Sequence, residues 1–257
     1  MTGGLHGEYD DAALYDAENG WGPDDDFYRA LAAETGGPIL DLACGTGRLA
    51  RVLAADGHRV VGLDLAGAMV ARARLLDPAG LVDWHVGDAT AVDLGQRFRL
   101  IVMTAHAFQH LIGAVAQAAL FARVAHHLAP DGRFAFETRN PGRQDYADGT
   151  GFTFWRRFTD PARGPVEVWA ASDFDAATGV DRVTLVRSFV DGSERRSAAS
   201  LQFTDAATLD ARLAAAGLVC DRRYGDFGGE TFGPESPEIV TVAQPSPREL
   251  ALATRKR

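Results

Sequence analysis

The sequence predicts an α/β fold: a parallel sheet covered by helices on both faces, interrupted by an antiparallel β insert. Three observations carry this. Apolar runs of strand length alternate with helical patterns from residue 39 to residue 138. The first run passes through an acid into a tight glycine loop, Ile39-Leu40-Asp41-Leu42-Ala43-Cys44-Gly45-Thr46-Gly47-Arg48. After Asn140 the apolar period shortens towards two. Strand–helix alternation at this spacing requires parallel strands whose crossovers cover both faces. Period-two alternation belongs to half-buried antiparallel strands.

Residues 1–23 are glycine-rich and acidic, yet they hold Tyr9, Tyr15 and Trp21. That suits a lid folded over the core as well as a frayed terminus. Asp24 or Asp25 can cap a helix running to about residue 34, with Phe27, Tyr28 and Leu31 on one face and Gly36-Gly37-Pro38 at its end. Strands are expected at 39–42, 58–63, 81–86, 99–104 and 133–138, with helices at 48–55, 67–76 and 114–128 between them. The last of these helices repeats Leu120, Val124 and Leu128 at four-residue steps, a buried stripe, and Pro130-Asp131-Gly132 is a turn. Four strand candidates cover about 151–203, where Phe152, Phe154, Arg156 and Phe158 alternate with Thr153, Trp155 and Arg157. Thr204 is then a helix cap, with Leu209 and Leu213 on the core face and Gly217 at the stop. Last strands are expected at 218–226 and 238–243. The organisation is therefore a lid segment at 1–23, a core at 24–140 and 204–244, an insert at 141–203 and a flexible tail at 245–257.

The bulk numbers narrow the function. Lysine plus arginine number 26 against 35 acids, a net charge of −9. A chain that grips nucleic acid by its phosphates needs basic surface instead, so no nucleic-acid partner is expected. The two cysteines, Cys44 and Cys220, have no metal-ligand spacing, and no metal site is expected. No stretch reads as a signal peptide or an 18-residue apolar span, so the expectation is a cytoplasmic protein without a membrane partner.

Gly45-x-Gly47-x-x-Ala50 fits the relaxed dinucleotide fingerprint, which by itself leaves a nicotinamide or flavin enzyme open. Three acids add to it. Asp41 precedes the glycines by four residues, where it would repel a pyrophosphate and suit a ligand amino group. Asp64 ends the next strand and can accept from both ribose hydroxyls. Asp88, in Val86-Gly87-Asp88-Ala89, follows a third strand and can accept from an adenine amino group.

With these motifs, and with Leu128-Ala129-Pro130-Asp131-Gly132-Arg133 before a strand, the chain resembles the class I S-adenosylmethionine-dependent methyltransferases over about residues 15–243. The resemblance is to the small-molecule branch, which includes sugar-amine N-methyltransferases. It implies a Rossmann-like seven-stranded methyltransferase sheet whose final strand, 238–243, is antiparallel. It implies S-adenosylmethionine as cofactor and S-adenosylhomocysteine as product. Ala43, Gly45 and Gly47 would let the backbone pass the methionine portion, and Asp41 would anchor its amino group. Asp64 would hold the ribose, Leu65 and Met69 the adenine region, and Asp88 and Ala89 the adenine edge. Thr104 would lie near the methionine portion, and Tyr15 would belong to the lid.

Methyl transfer is an in-line displacement that needs alignment above all. An acceptor that sheds a proton also benefits from a base. The segment Thr104-Ala105-His106-Ala107-Phe108-Gln109-His110-Leu111 follows the fourth strand, where open α/β sheets bind ligands. His110 and His106 are the candidate bases, packing or backbone bonding being the alternative for each. His58, His85, His126 and His127 read as structural, and Arg48 as a surface pair. Trp155, Trp169, Phe152 and Phe174 suit sheet core, a homodimer surface or the roof of an acceptor pocket. The sequence thus predicts methyl transfer to nitrogen, oxygen or aromatic carbon of a small-molecule acceptor in secondary metabolism. The competing readings are an NAD(P)-dependent oxidoreductase and a non-catalytic S-adenosylmethionine-binding protein.

Overall fold

The computed structural model describes residues 7, 9–143 and 151–247; most of the tail expected at 245–257 lies outside them. Eleven strands among these residues form two sheets. The larger has seven: β1 (Ile39–Leu42), β2 (Val60–Asp64), β3 (Val82–Val86), β4 (Phe98–Met103), β5 (Leu128–Arg139), β10 (Leu218–Tyr224) and β11 (Glu238–Pro245). The order is β10-β11-β5-β4-β1-β2-β3. Pairing is parallel from β5 through β4, β1 and β2 to β3, and β11 runs antiparallel to β5 and to β10. The reversed strand is the one expected at 238–243.

Alternation along each strand sends side chains to opposite faces. Leu40, Leu42, Val61 and Leu63 meet α5 (Gly113–His127) and α6 (Ala206–Ala215), which bury Leu120, Phe121, Val124, Leu209 and Leu213. Ile39, Val60, Val82 and Val102 meet α2 (Pro23–Thr35), α3 (Arg48–Ala55) and α4 (Gly67–Leu76), which bury Tyr28, Leu53 and Val70. Each fully buried side chain of this size contributes roughly 1.5–3 kcal/mol. The parallel strand ends are thereby fixed side by side along one edge of the sheet.

Local chemistry shifts several expected boundaries. Gly22, not Asp24 or Asp25, precedes α2, because Pro23 takes the first helical position; Asp25 reaches back to accept from Gly22 N at 2.8 Å. Thr204 is buried and accepts from Gln117 Nε2 at 3.1 Å, which leaves Asp205 to cap α6 by accepting from Thr208 N at 2.9 Å. Pro130-Asp131-Gly132 forms a bulge within β5: its ladder with β4 jumps from Phe98↔Leu128 to Leu100↔Arg133.

The insert is a separate antiparallel sheet, β6 (Thr153–Asp160), β7 (Gly164–Asp175), β8 (Val180–Phe189) and β9 (Glu194–Gln202), paired in that order. A bulge between Phe154 and Arg156 breaks the expected alternation and leaves Phe152, Phe154 and Trp155 exposed. A short helix, α1 (Ala12–Glu18), docks on this sheet through an acid at each end. Asp11 accepts from Arg163 at 2.8 Å and Arg195 at 2.9 Å. Buried Glu18 pairs with Arg187 at 2.5 Å and Arg156 at 2.7 Å. Asp16 takes Arg72 of α4 at 2.8 Å, which ties α1 to the core as well.

Candidate active site

The glycine loop after β1 is held from below. Cys44 N donates to Leu63 O at 3.0 Å, and Gly45 N donates to the Asp64 carboxylate at 2.8 Å. The two glycines face different things. A Cβ on Gly45 would lie 3.8 Å from the Tyr15 ring, on the open side of the loop. A Cβ on Gly47 would lie 2.1 Å from the Trp84 indole, so the close packing of β3 beneath the loop requires this glycine. Its φ of 76° is left-handed as well.

The parallel strand ends, the loop and α1 enclose a cavity of about 380 Å³. Among the predicted residues, Tyr15, Ala43, Gly45, Asp64, Leu65, Asp88, Ala89, Thr104 and His110 line it. Four others lie behind the wall. Asp41 is 2% exposed beneath the loop, Gly47 packs on Trp84, and Met69 is buried in α4. The His106 ring turns away to Glu238, with Nε2 3.0 Å from a carboxylate oxygen. The cavity also takes Tyr9, Asp10, Gly87, Met103 and Leu111. Met103 and Gly87 follow from the strand-end rule; Asp10 gave no signal in the sequence. No insert residue among those described lines it.

The electrostatics are one-sided. Asp64 accepts from Gly45 N and Ala66 N, each at 2.8 Å, and burial raises its pKa against those bonds. Asp88 accepts from the amide and hydroxyl of Thr90 at 2.8 and 2.7 Å. Burial, then the charges of Asp64 and Asp25, push Asp41 up to about 8, while Arg48 opposes them. Arg48 is engaged by buried Asp25 and by Gly20 O. One Asp41 oxygen, Oδ1, has no hydrogen-bond partner among the described residues. Among the described residues no lysine or arginine lines the cavity.

The candidate bases differ. His110 Nε2 is 3.0 Å from the Tyr9 hydroxyl inside the cavity. His106 serves the wall instead, its backbone N–H donating to Glu137 at 2.7 Å. Arg139 and Asn140, at the end of β5, bond within the protein: Arg139 donates to Gln109 Oε1 at 3.2 Å, and the Asn140 amide donates to the carbonyls of Pro234 and Ser236. Asp93, His126 and His127 lie close together. Yet His127 Nδ1 donates to Arg123 O at 2.8 Å and Nε2 accepts from Leu94 N at 2.9 Å, leaving no lone pair for a metal.

A sheet whose last strand is reversed, a glycine loop over a buried acid and two further acids at successive strand ends form the architecture of the class I S-adenosylmethionine-dependent methyltransferases, and the chain has that fold. The cofactor of the class fits this cavity: an orphaned buried carboxylate suits its amino group, and an acidic lining without lysine or arginine suits a cationic ligand better than a pyrophosphate.

Comparison with known proteins agrees. Residues 39–132 match the family model described as a methyltransferase domain. Over 94 residues the chain is 38% identical to the dTDP-3-amino-3,6-dideoxy-alpha-D-glucopyranose N,N-dimethyltransferase of Streptomyces fradiae, covering 37% of this chain and only 36% of that protein. Over 214 residues it is 28% identical to the cypemycin N-terminal methyltransferase of a Streptomyces species, covering 81% and 83% of the two. The solved structure of the CcbJ methyltransferase from Streptomyces caelestis superposes with a TM-score of 0.82 at 26% identity, covering 93% of this chain and 97% of that one.

Proposed function

We infer that the protein transfers a methyl group from S-adenosylmethionine to an amine nitrogen of a small molecule in secondary metabolism. The observation that carries this is the composition of the cavity: acids, a glycine loop and, beneath α1, a tyrosine–histidine pair. S-adenosylmethionine, when bound, supplies a methyl group already activated on a positive sulfur. Asp41, Asp64 and Asp88 hold the cofactor. Tyr9 and Tyr15 cover the cavity and exclude water. His110, bonded to Tyr9, takes the proton that an ammonium acceptor must shed before its nitrogen can attack. The named substrates of two relatives support nitrogen: one acts on an amino sugar, the other on a peptide N-terminus. Asp10 at the cavity suits an acceptor that arrives protonated.

The test is mass spectrometry of amino sugars and short peptides incubated with enzyme and S-adenosylmethionine. Gain of one or two methyl groups on nitrogen is expected. Methylation confined to hydroxyl acceptors would overturn the reading, and cofactor binding without any transfer would favour a non-catalytic binding protein. His110→Ala should lower turnover about a hundredfold with cofactor affinity unchanged; equal turnover across pH would remove His110 as base. Among the described residues no helix is long and apolar enough to cross a membrane, which supports a cytoplasmic enzyme. Exposed Phe154 and Trp155 on the edge strand β6, with Phe152 just before it, support a homodimer through the insert; a monomer by light scattering would remove that.

A further inference from the structure

Among the described residues, three that are not glycine adopt positive φ; two of them, Ala43 and Ala105, line the cavity, and the third, His106, follows Ala105 directly behind its wall. Ala43 stands at 56°, Ala105 at 55° and His106 at 58°. The last two are consecutive. In the left-handed region the Cβ of an L-residue crowds the following carbonyl. Two such residues side by side persist only where the surroundings over-determine them.

Glu137, near the C-terminal end of β5, supplies that constraint. Its side chain is fully buried. One carboxylate oxygen accepts the His106 N–H at 2.7 Å, and the other accepts the hydroxyl of Tyr28, itself fully buried in α2. On the neighbouring strand Glu238, at the start of β11, takes the His106 ring at 3.0 Å. Thr104, Ala105 and Ala107 form part of the cavity wall, while Glu137 itself lies behind it.

We propose that Glu137 is a positioning residue, which clamps Ala105 and His106 in the left-handed turn and so sets the wall that cofactor and acceptor meet. This rests on the reading of the cavity as the methyl-transfer site. Glutamine at 137 keeps an acceptor for the His106 amide, and its NH₂ can donate to the Tyr28 hydroxyl. Alanine leaves both groups without their partner in the interior.

The experiment uses S-adenosylhomocysteine as probe, titrated by calorimetry, with hydrogen exchange of the 104–107 backbone followed by mass spectrometry. Glu137→Ala should weaken binding about tenfold, the effect of losing one well-placed contact, and speed exchange across 104–107. Glu137→Gln should stay within about twofold of the unmodified chain. Adding Ala105→Gly to Glu137→Ala should recover most of the affinity, because glycine adopts this φ without a Cβ conflict. Tyr28→Phe keeps the His106 bond, so it should lower thermal stability but leave affinity within about twofold.

Affinity unmoved by Glu137→Ala overturns the proposal. So does failure of Ala105→Gly to restore any of it, or a loss for Tyr28→Phe as large as for Glu137→Ala. Should Glu137→Ala not fold, exchange in the unmodified chain decides: a His106 amide as fast as an unbonded loop amide overturns the clamp, and slow exchange supports it. Failure of the unmodified chain to bind S-adenosylhomocysteine would instead overturn the reading of the cavity, with His106 exchange still judging the clamp.

Discussion

Asp41→Asn should convert a pH-dependent cofactor site into a flat one. The carboxyl is 2% exposed, and burial beside Asp64 and Asp25 raises it from 3.8 to about 8. At about 1.4 kcal/mol per unit, ionising it, even with Arg48 opposing the shift, costs on the order of 6 kcal/mol. A ligand ammonium held by Asp41 requires the ionised form. Below pH 8 affinity should therefore fall, approaching tenfold per unit, by roughly 2.3 kcal/mol between pH 8 and pH 6. Above about pH 8 the ligand's own α-amino group loses its proton, so affinity should peak near that value. Asparagine has no proton to release. Its affinity should be level from pH 6 to 7.5 and about 1.5–3 kcal/mol weaker than aspartate at pH 8, the range for a hydrogen bond to a charged group. The two proteins should converge near pH 6. Calorimetry with S-adenosylhomocysteine, in buffers of different ionisation enthalpy, counts the proton: close to one released at pH 7 with Asp41, none with asparagine. Aspartate that binds with level affinity from pH 6 to 8 and releases no proton would remove Asp41 as the anchor of the amino group. The sign for stability is opposite. The folded state holds a proton between pH 3.8 and about 8 that the unfolded chain has lost, so this group's contribution disappears as pH rises through that window. The ligand-free asparagine variant should accordingly melt higher at pH 7.5.

Asp64→Ala should weaken S-adenosylhomocysteine by roughly 1–3 kcal/mol, since the side chain lines the cavity and also holds the Gly45 and Ala66 amides; an unchanged dissociation constant would contradict its placement. Gly47→Ala drives a methyl into the Trp84 ring and should destabilise the fold by about 1–3 kcal/mol, read as a lower urea midpoint, with Trp84→Ala relieving part of the added loss. His127 has a pKa lowered by burial, so its contribution to stability is present above about pH 6.5 and lost as pH falls towards its folded value. His127→Gln, which can still donate and accept once each, should flatten the acid side of the melting curve between pH 7 and 5.

The sheet and the acids at its strand ends were legible because each rests on a local pattern. Apolar runs end at Asp41 and Asp64, and in a parallel sheet those ends converge whatever the details of the helices. Other assignments needed the third dimension. Gly47 reads as a loop glycine for ligand approach, but its Cα faces a tryptophan from two strands away, a contact set by the pairing of β1, β2 and β3. His106 and His110 look equivalent in the chain; the left-handed turn at 105–106 sends one ring to Glu238 and leaves the other on Tyr9. Glu137 sits in an apolar strand where an acid carries no motif, and only its two donors give it meaning. Phe152 and Phe154 suggest a buried face until a bulge, invisible in alternation alone, turns them out.

The docking of α1 places control of the cavity outside it. Tyr9, Asp10 and Tyr15 lie along one short segment in which two of the acids, Asp11 and Glu18, are gripped by four arginines of the insert. The insert thus acts as a chassis for a removable wall. A substitution at Arg163 or Arg195 would re-aim that wall, and with it the shape offered to an acceptor, while every cofactor-binding group on the large sheet stayed where it is. The pairs that Asp11 makes with Arg163 and Arg195 are partly exposed, so added salt should loosen that end of the wall before it reaches the buried Glu18–Arg187 pair at the other.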